Sequence, residues 1–206
     1  MKTAVLSAKE PQALQLALEI IRQGGMVAFP TDTVYGLGAS AFDPQGIEQL
    51  YVVKEREERK AIAVLLSSAA ELVKITATMN ETAQRLAERF WPGPLTLVVP
   101  RHPDLPDNLS PLATIGVRMP DHPLALALIA GSGPLAVTSA NLSGGENTTT
   151  AHEVFAQLSG RIPLVLDGGQ TPGGSPSTVV DCTAEQPVIL RQGPISLSEL
   201  QIALSG

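Results

Sequence analysis

The sequence predicts an α/β protein, because short apolar runs alternate with segments of helical periodicity along the chain. Eight runs rich in Val, Ile and Leu have the length of strands and indicate buried or half-buried β-strands. Six intervening stretches place apolar residues every three to four positions, as on one face of a helix. With 206 residues, 44% of them hydrophobic, we expect one core and a single domain over residues 1–206.

The predicted strands and helices follow one another along the chain. Strands are expected at residues 26–30, 61–66, 95–99, 115–119, 135–139, 162–167, 177–182 and 188–191. Helices are expected at residues 11–22, 44–54, 81–90, 123–129, 152–158 and 197–204. This alternation is typical of a sheet covered by helices.

The residues at the predicted helix ends support these boundaries. Side chains able to accept hydrogen bonds from free backbone amides precede three helices, at Asp43, Asn80 and Asp121. Ser196 and Glu199 have the spacing of a capping box, and the pair Gly24-Gly25 favours the end of the first helix. We interpret His122, beside Asp121, as part of a helix cap rather than of a Ser-His-Asp triad, because no GxSxG motif occurs.

The composition argues against several classes of protein. The chain has 14 Lys plus Arg against 20 Asp plus Glu, whereas proteins that bind nucleic acid through charge alone are usually basic. The single cysteine, Cys182, allows no intramolecular disulfide, and its apolar surroundings predict a small core side chain. No stretch approaches the roughly twenty apolar residues of a membrane span, and no secretion signal is apparent. We therefore expect a cytoplasmic location and no membrane association.

Polar side chains lie at or near the ends of several predicted strands, where open α/β sheets bind ligands. They are Thr31, Asp32, Thr33, Arg118, Ser139, Asn141, Ser177, Thr178 and Arg191. Each also has an ordinary interpretation, since hydroxyl and carboxylate groups cap turns and an arginine can pair with a core carboxylate. The pattern alone leaves both interpretations open.

A group of cations, Lys54, Arg56 and Lys60, follows the second predicted helix. Neither GxxxxGK[ST] nor GxGxxG occurs, so a bound nucleotide would have to be held by separate cations of this kind. The other interpretation is a solvated charge run, because acidic residues are interspersed among the basic ones.

The segment FPTDTVYGLGASAFDP at residues 29–44 resembles the signature opening of the Sua5/YciO/YrdC family. The same order continues with Lys54-x-Arg56, WPGPLTLVV at 91–99, IGVRMPDHPLA at 115–125, TSANLSG at 138–144, STVVD at 177–181 and LRQG at 190–193. The resemblance covers essentially the whole chain and is closest to the short, single-domain members. It implies a twisted sheet of parallel and antiparallel strands, flanked by helices, around a large concave pocket.

The resemblance also implies an activity, that of an L-threonylcarbamoyladenylate synthase. Such a nucleotidyltransferase makes threonylcarbamoyl-AMP and pyrophosphate from L-threonine, bicarbonate or CO2, and ATP, for N6-threonylcarbamoyladenosine (t6A) in tRNA. The implied threonine-binding residues are Thr33, Arg118, Val137 and Ser177. The implied ATP-binding residues are Lys54, Arg56, Lys60, Thr114, Ser139, Asn141, Asn147 and Arg191, of which Lys54 and Arg56 are also expected to be catalytic.

Further expectations concern the cofactor and the partners. Mg²⁺ is expected with ATP, without a dedicated set of protein ligands, because this ion often keeps several waters. Transient contact with the threonylcarbamoyl transferase complex and with tRNA is expected as well. Glu57 stands where the family usually has proline, and Ala61 stands where it usually has proline or glycine. The Glu57 carboxylate, among groups that would bind phosphate, predicts weaker ATP binding.

Two alternatives to synthase activity are considered. The first is a noncatalytic, YrdC-like RNA-binding module for double-stranded RNA or tRNA, against which the net acidity argues. The second is a related domain that handles carbamoyl-adenylate in hydrogenase maturation, against which the absence of zinc-finger and acylphosphatase segments argues.

Overall fold

The computed structural model describes residues 1–55, 61–173, 175–184 and 186–205. Within these ranges the strands are β1 Ala4–Ser7, β2 Val27–Pro30, β3 Tyr35–Ser40, β4 Ala63–Leu65, β5 Leu95–Pro100, β6 Thr114–Arg118, β7 Leu135–Ser139, β8 Leu164–Asp167, β9 Thr178–Asp181 and β10 Val188–Arg191. The helices are α1 Ala13–Arg22, α2 Pro44–Lys54, α3 Glu81–Phe90, α4 Pro123–Ser132, α5 Ala151–Leu158 and α6 Leu197–Ser205. Short 3₁₀ turns lie at Ala69–Lys74 and Asp107–Leu109.

The described strands form one mixed sheet in the order β1-β8-β2-β3-β7-β4-β6-β5-β9-β10. Parallel pairing joins β1 to β8, β8 to β2, β4 to β6 and β5 to β9, and the other neighbours run antiparallel. The predicted α/β class and the implied mixed sheet are therefore confirmed. Helices cover the sheet because their apolar faces pack on it, as Ala13, Ala17 and Ile21 of α1 do.

All eight predicted strands and all six predicted helices are present, with boundaries that differ by a few residues. The prediction missed two strands, β1 and β3. β1 is a four-residue edge strand that pairs only with β8, so its sequence carries little signal. β3 contains Gly36 and Gly38, which lower strand propensity; a Cβ at Gly36 would lie 2.8 Å from Cγ1 of Val137, so close packing explains this glycine.

The predicted helix caps are confirmed with one exception. Asp43 and Asn80 accept hydrogen bonds from the amides of Gln45 and Ala83, at 3.0 and 2.9 Å. The Ser196–Glu199 box forms, and Gly24, with φ of +80°, follows α1. The cap predicted at Asp121 is wrong.

The start of α4 explains that error. His122 occupies the capping position instead of Asp121, and its side chain makes no capping bond. Its backbone carbonyl accepts from the amide of Leu126, as in the first turn of a helix. Pro123 takes the next position, where its missing amide proton costs nothing.

The connection between β8 and β9, of which residues 168–173 and 175–177 are described, joins the half of the sheet that contains β8 to the half that contains β9. Its backbone is bound along the way, because the carbonyl of Gly169 accepts from the hydroxyl of Tyr35 at 2.7 Å and the amide of Gly173 donates to the carbonyl of Thr33 at 3.0 Å. Its last residue, Ser177, is buried. This β8–β9 connection therefore brings Ser177 close to residues from distant strands.

The largest group of buried apolar residues lies between the sheet and helices α2, α3 and α5. Cys182 is 2% exposed and belongs to this core, as its apolar surroundings predicted. In the described part of the chain, no helix combines the length and the apolar character that crossing a bilayer requires.

Candidate active site

A cavity of about 310 Å³ lies on the sheet, between its two halves. Its wall includes Thr31 and Thr33 after β2, Ser139 at the end of β7, and Asn147. On the other side it includes Thr96, Arg118, Ser177 and Arg191 from the half formed by β6, β5, β9 and β10. Polar groups that are distant in the sequence thus face one space.

Small residues create the depth of this cavity. Gly36, Gly116, Ala61 and Ala63 all line it, so strands β3, β4 and β6 present little side-chain volume there. A Cβ at Gly116 would lie 3.1 Å from Cγ2 of Thr96, which shows how closely the neighbouring side chains pack. The sequence therefore leaves room above the sheet for a ligand of small-molecule size.

Three hydrogen bonds hold Arg118 in the cavity wall. Its Nε donates to the carbonyl of Gly93 at 3.0 Å, its Nη1 to Oγ1 of Thr33 at 3.2 Å, and its Nη2 to Oδ1 of Asp32. A guanidinium carries five N–H groups, and none of the described residues accepts the other two. Burial lowers the pKa of Arg118 from its usual value, and the nearby Asp32 opposes that shift. Because arginine is not deprotonated in proteins, Arg118 is charged, and it has donors left for a ligand.

Thr31 and Thr33 form a directed chain of hydrogen bonds. The hydroxyl of Thr31 donates to the carbonyl of Val34 at 2.7 Å, so in the 3.0 Å contact between the two hydroxyls Thr33 is the donor. Thr33 also accepts from Arg118. Its proton is thus used within the protein, and it can offer a ligand only an acceptor.

Arg191 is anchored to Ser177 at the opposite side of the cavity. Its Nε and Nη2 donate to the carbonyl of Ser177 at 3.1 and 2.9 Å, and Nη2 also reaches Oγ of Ser177 at 3.1 Å. The Ser177 hydroxyl in turn contacts Oγ1 of Thr96 at 2.7 Å. A positive charge and two hydroxyl groups therefore lie together at the ends of β5, β9 and β10.

Lys54 is buried under the end of β7, with 1% of its surface exposed. Its ammonium donates to the carbonyls of Ser139 and Asn141 and lies 3.4 Å from Oδ1 of Asn141. The side-chain nitrogen Nδ2 of Asn141 donates to the backbone carbonyls of Leu142 and Gly145, both at 2.8 Å. In this arrangement Lys54 and Asn141 fix the backbone that follows β7 and carries Ser139 to the cavity.

The predicted site residues are distributed as follows. Those that line the cavity are Thr33, Arg118, Val137, Ser139, Asn147, Ser177 and Arg191. Lys54 and Asn141 lie behind the wall, and Thr114 begins β6, four residues before Arg118 and about 13 Å along the strand. Arg56 and Lys60 lie outside the described residues. The binding and catalytic roles of all twelve positions, ten described and two undescribed, remain predictions.

Three residues near the cavity were given no ligand-binding role by the sequence. Asp32 pairs with Arg118, Thr96 pairs with Ser177, and Tyr35 lines the wall. Burial, followed by the nearby Asp167, raises the pKa of Tyr35 to about 12, so its hydroxyl stays protonated and donates to Gly169. All three lie within the quoted segments 29–44 and 91–99, but their partners come from distant parts of the chain, so the motifs do not show these contacts.

His122 lies close enough to Asp32 for the two to interact electrostatically. Burial lowers the pKa of His122 below its usual value, although the charges of Asp32 and Asp121 oppose this shift. Nδ1 of His122 and Oδ2 of Asp32 are buried and have no hydrogen-bond partner among the described residues. Neither residue belongs to the cavity wall.

Comparison with known proteins places these features in a family. The Sua5/YciO/YrdC family, described as "Telomere recombination", matches residues 19–193. The threonylcarbamoyl-AMP synthase of Bacillus subtilis (strain 168) is 43% identical over 205 residues, which are 98% of this chain and 59% of that protein. Putative threonylcarbamoyl-AMP synthase from Mycobacterium tuberculosis is 38% identical over 185 residues, covering 89% of this chain and 85% of that protein.

A solved structure agrees closely with the fold. The crystal structure of P. abyssi Sua5 complexed with L-threonine has a TM-score of 0.94 and 39% sequence identity, covering 99% of this chain and 61% of that one. This chain thus spans about three fifths of the length of the Bacillus and P. abyssi proteins. Because the family match extends over most of the sequence and the sheet is shared, the chain belongs to the Sua5/YciO/YrdC family.

Proposed function

We propose that this chain is an L-threonylcarbamoyladenylate synthase, which makes threonylcarbamoyl-AMP and pyrophosphate from L-threonine, bicarbonate and ATP for t6A modification of tRNA. The observation that carries the proposal is the placement of Arg118, Arg191 and Ser139 on the wall of one cavity. The synthase names of the relatives and the L-threonine complex of P. abyssi Sua5 support it. No carboxylate stands among the described lining residues, so the cavity favours anionic ligands.

The amino acid would bind at Arg118. The two remaining N–H groups of its guanidinium suit a carboxylate, which arginine binds in a planar, two-point manner. Thr33 would accept a hydrogen bond from the substrate, because its own hydroxyl proton is donated to Thr31. The backbone of Val137 and the hydroxyl of Ser177 complete the proposed threonine site.

The nucleotide would lie toward Ser139, Asn147 and Arg191, with Arg56 and Lys60 as further phosphate ligands outside the described residues. Lys54 and Asn141 would act there by holding the backbone that presents Ser139. Thr114 would contact ATP from the end of β6 opposite Arg118. The site would thus place phosphate charge near fixed cations and donors.

The reaction would begin when bicarbonate gives CO2 and hydroxide; the neutral amine of threonine adds to the CO2 and loses a proton to the hydroxide, which gives an N-carboxylate and water. A carboxylate oxygen then attacks the α-phosphorus of ATP, the bond to the β-phosphate bridging oxygen breaks, and pyrophosphate leaves. This chemistry requires alignment of the two substrates and neutralisation of the leaving group rather than a protein nucleophile. Arg118 and the hydroxyl groups would supply the alignment, and Arg191, Arg56 and Lys60 would neutralise the leaving group.

Mg²⁺ would enter with ATP rather than occupy a site built by the protein. The described residues contain no group of three His, Cys, Asp or Glu side chains able to hold a metal ion. The described lining residues of the cavity also lack the carboxylates that usually bind Mg²⁺. When bound to ATP the ion would offset phosphate charge, and its protein contacts among the described residues would be few.

The wider context of the activity is proposed on the same basis. We place a single functional domain at residues 1–206 in the cytoplasm, where tRNA and ATP are available. The product would pass to the threonylcarbamoyl transferase complex, with transient contact to that complex and to tRNA.

Labelled bicarbonate provides the test of the proposed reaction. Purified protein with L-threonine, ATP, Mg²⁺ and [¹⁴C]bicarbonate should form labelled threonylcarbamoyl-AMP, and pyrophosphate release should require both threonine and bicarbonate. Arg118→Glu should abolish the threonine dependence, whereas Arg22→Glu, at an exposed position at the end of α1, should not. Threonine-independent pyrophosphate release, or none, together with strong and steeply salt-dependent RNA binding, would instead favour the RNA-binding module.

A further inference from the structure

Four residues of the cavity wall come from the same end of four adjacent strands. Arg118 ends β6, Thr96 lies near the start of β5, Ser177 directly precedes β9, and Arg191 ends β10. The antiparallel register pairs Leu97 with Val117, which brings Thr96 alongside Arg118. The parallel register pairs Thr96 with Val179, two residues after Ser177, and Arg191 pairs with Val179 from the other side. All four residues line the cavity, so Thr96 and Ser177 lie between two arginines.

The hydrogen bonds of Thr96 and Ser177 leave one proton unused. The two hydroxyl groups carry two protons and lie 2.7 Å apart, so one proton joins them. Oγ of Ser177 also accepts from Arg191. No described residue accepts the second proton, although both side chains are about 95% buried. A buried donor without an acceptor is unfavourable, and so this proton indicates a ligand or a water in the cavity.

We propose that Thr96 is a binding residue of the amino-acid site, where it shares with Ser177 one hydroxyl proton that is donated to a carboxylate oxygen of the substrate. This inference rests on the proposed function and extends it to a residue of β5. An anionic oxygen is the favoured acceptor because Arg118 and Arg191 flank the pair. The carboxylate is the anion that Arg118, alongside Thr96, is suited to bind.

The pair differs from Thr31 and Thr33 across the cavity. There both protons are donated within the protein, to Val34 and to Thr31, so that pair presents only an acceptor. The amino-acid site thus has a donor side, formed by Arg118, Thr96 and Ser177, and an acceptor side at Thr33. These groups match an α-amino acid, whose carboxylate accepts hydrogen bonds and whose amine donates them.

A double-mutant cycle tests the proposal. Thr96→Val keeps the shape of the side chain and leaves the Ser177 proton available, while Ser177→Ala leaves the Thr96 proton available. Each single variant should therefore weaken L-threonine binding by less than about threefold, whereas the double variant should weaken it by about tenfold or more. The measurement is the Kd for L-threonine by isothermal titration calorimetry.

A purely structural role predicts a different pattern. If the hydroxyl groups only joined β5 to β9, either single variant would break the bond, and the double variant would bind no more weakly than the singles. That result, or an unchanged Kd in the double variant, would overturn the proposal. Thr76→Val is the matched control, because Thr76 is also buried and hydrogen-bonded but does not line the cavity. It should leave the Kd unchanged.

Two analogues identify the substrate group that accepts the proton. With L-threoninamide, which lacks the anionic carboxylate, the loss caused by the double variant should be smaller than with L-threonine. With L-2-aminobutyrate, which lacks only the side-chain hydroxyl, the loss should persist, and its disappearance would overturn the carboxylate assignment. If the wild-type protein binds no L-threonine, the proposed function fails; if it binds and reacts but the double variant binds equally well, only the role of Thr96 fails.

Discussion

Arg118 and Asp32 form an ion pair directly behind the cavity wall, with Nη2 of the arginine donating to Oδ1 of the aspartate. The side chains are 7% and 12% exposed. Asp32 comes from the turn after β2 and Arg118 from the end of β6, so the pair links two halves of the sheet. The aspartate holds the guanidinium in place but does not itself line the cavity.

Asp32→Ala should lower the free energy of unfolding by about 3–5 kcal/mol, because it leaves a buried guanidinium charge without its partner. Urea denaturation measures this loss. The double variant Asp32→Ala/Arg118→Met should regain part of it, since the unpaired charge is then removed as well. A single variant as stable as the wild type would show that the pair contributes little to folding.

Arg118→Lys should raise the Kd for L-threonine by about tenfold or more while changing the Kd for ATP little. Lysine keeps the positive charge but cannot bind Gly93, Thr33 and Asp32 simultaneously in one plane while also presenting donors to a carboxylate. Separate titrations with the two substrates measure the effect. An equal loss for both substrates would contradict a specific role at the amino-acid site.

Lys54→Met should destabilise the segment after β7 by about 1–3 kcal/mol, because the buried carbonyls of Ser139 and Asn141 lose a charged donor. We expect weaker ATP binding as a consequence of the displaced Ser139 and a lower thermal midpoint. Lys74→Met, in the 3₁₀ turn Ala69–Lys74, is the control and should leave both quantities unchanged. A loss of ATP affinity without any loss of stability would favour direct phosphate contact by Lys54.

Cys182 should resist alkylation by iodoacetamide at pH 8 in the folded protein and react after unfolding in urea. Burial, followed by the charge of Asp181, raises the pKa of its thiol to about 12, so the reactive thiolate is scarce in the native state. The unfolded chain has the lower thiol pKa, so this group stabilises the fold fully below about pH 9, and that contribution is lost as the pH rises toward 12. Rapid native-state labelling at pH 8 would contradict this account.

The sequence predicted most of the fold because apolar periodicity responds to burial, which decides both strands and helices here. It failed at β3, where Gly36 and Gly38 are required by the side chains of Val137 and Phe29, which come from other strands. It failed at Asp121 because a cap depends on where the first helical turn begins, and His122 takes that position. Boundaries of this kind are set by tertiary packing rather than by the local residue.

The candidate site was predictable to a similar extent. The family motifs led to seven residues that line the cavity, including Arg118, Ser139 and Arg191. They did not reveal that Lys54 is directed under β7, because its orientation depends on α2 ending at Glu55, whose φ is +53°. Nor did they reveal the partners of Asp32 and Thr96, since those hydrogen bonds join residues more than eighty positions apart.

The length of the β8–β9 connection restricts the shape of the whole sheet. In a flat sheet, the seven strand spacings between β8 and β9 would separate them by about 34 Å. The ten residues 168–177 could cover that distance only when almost fully extended, yet Gly169 and Gly173 turn the backbone with positive φ. The sheet must therefore stay strongly curved, because a flat sheet would require this segment to be almost fully extended. Ligands must consequently enter and leave without the two halves of the sheet moving far apart.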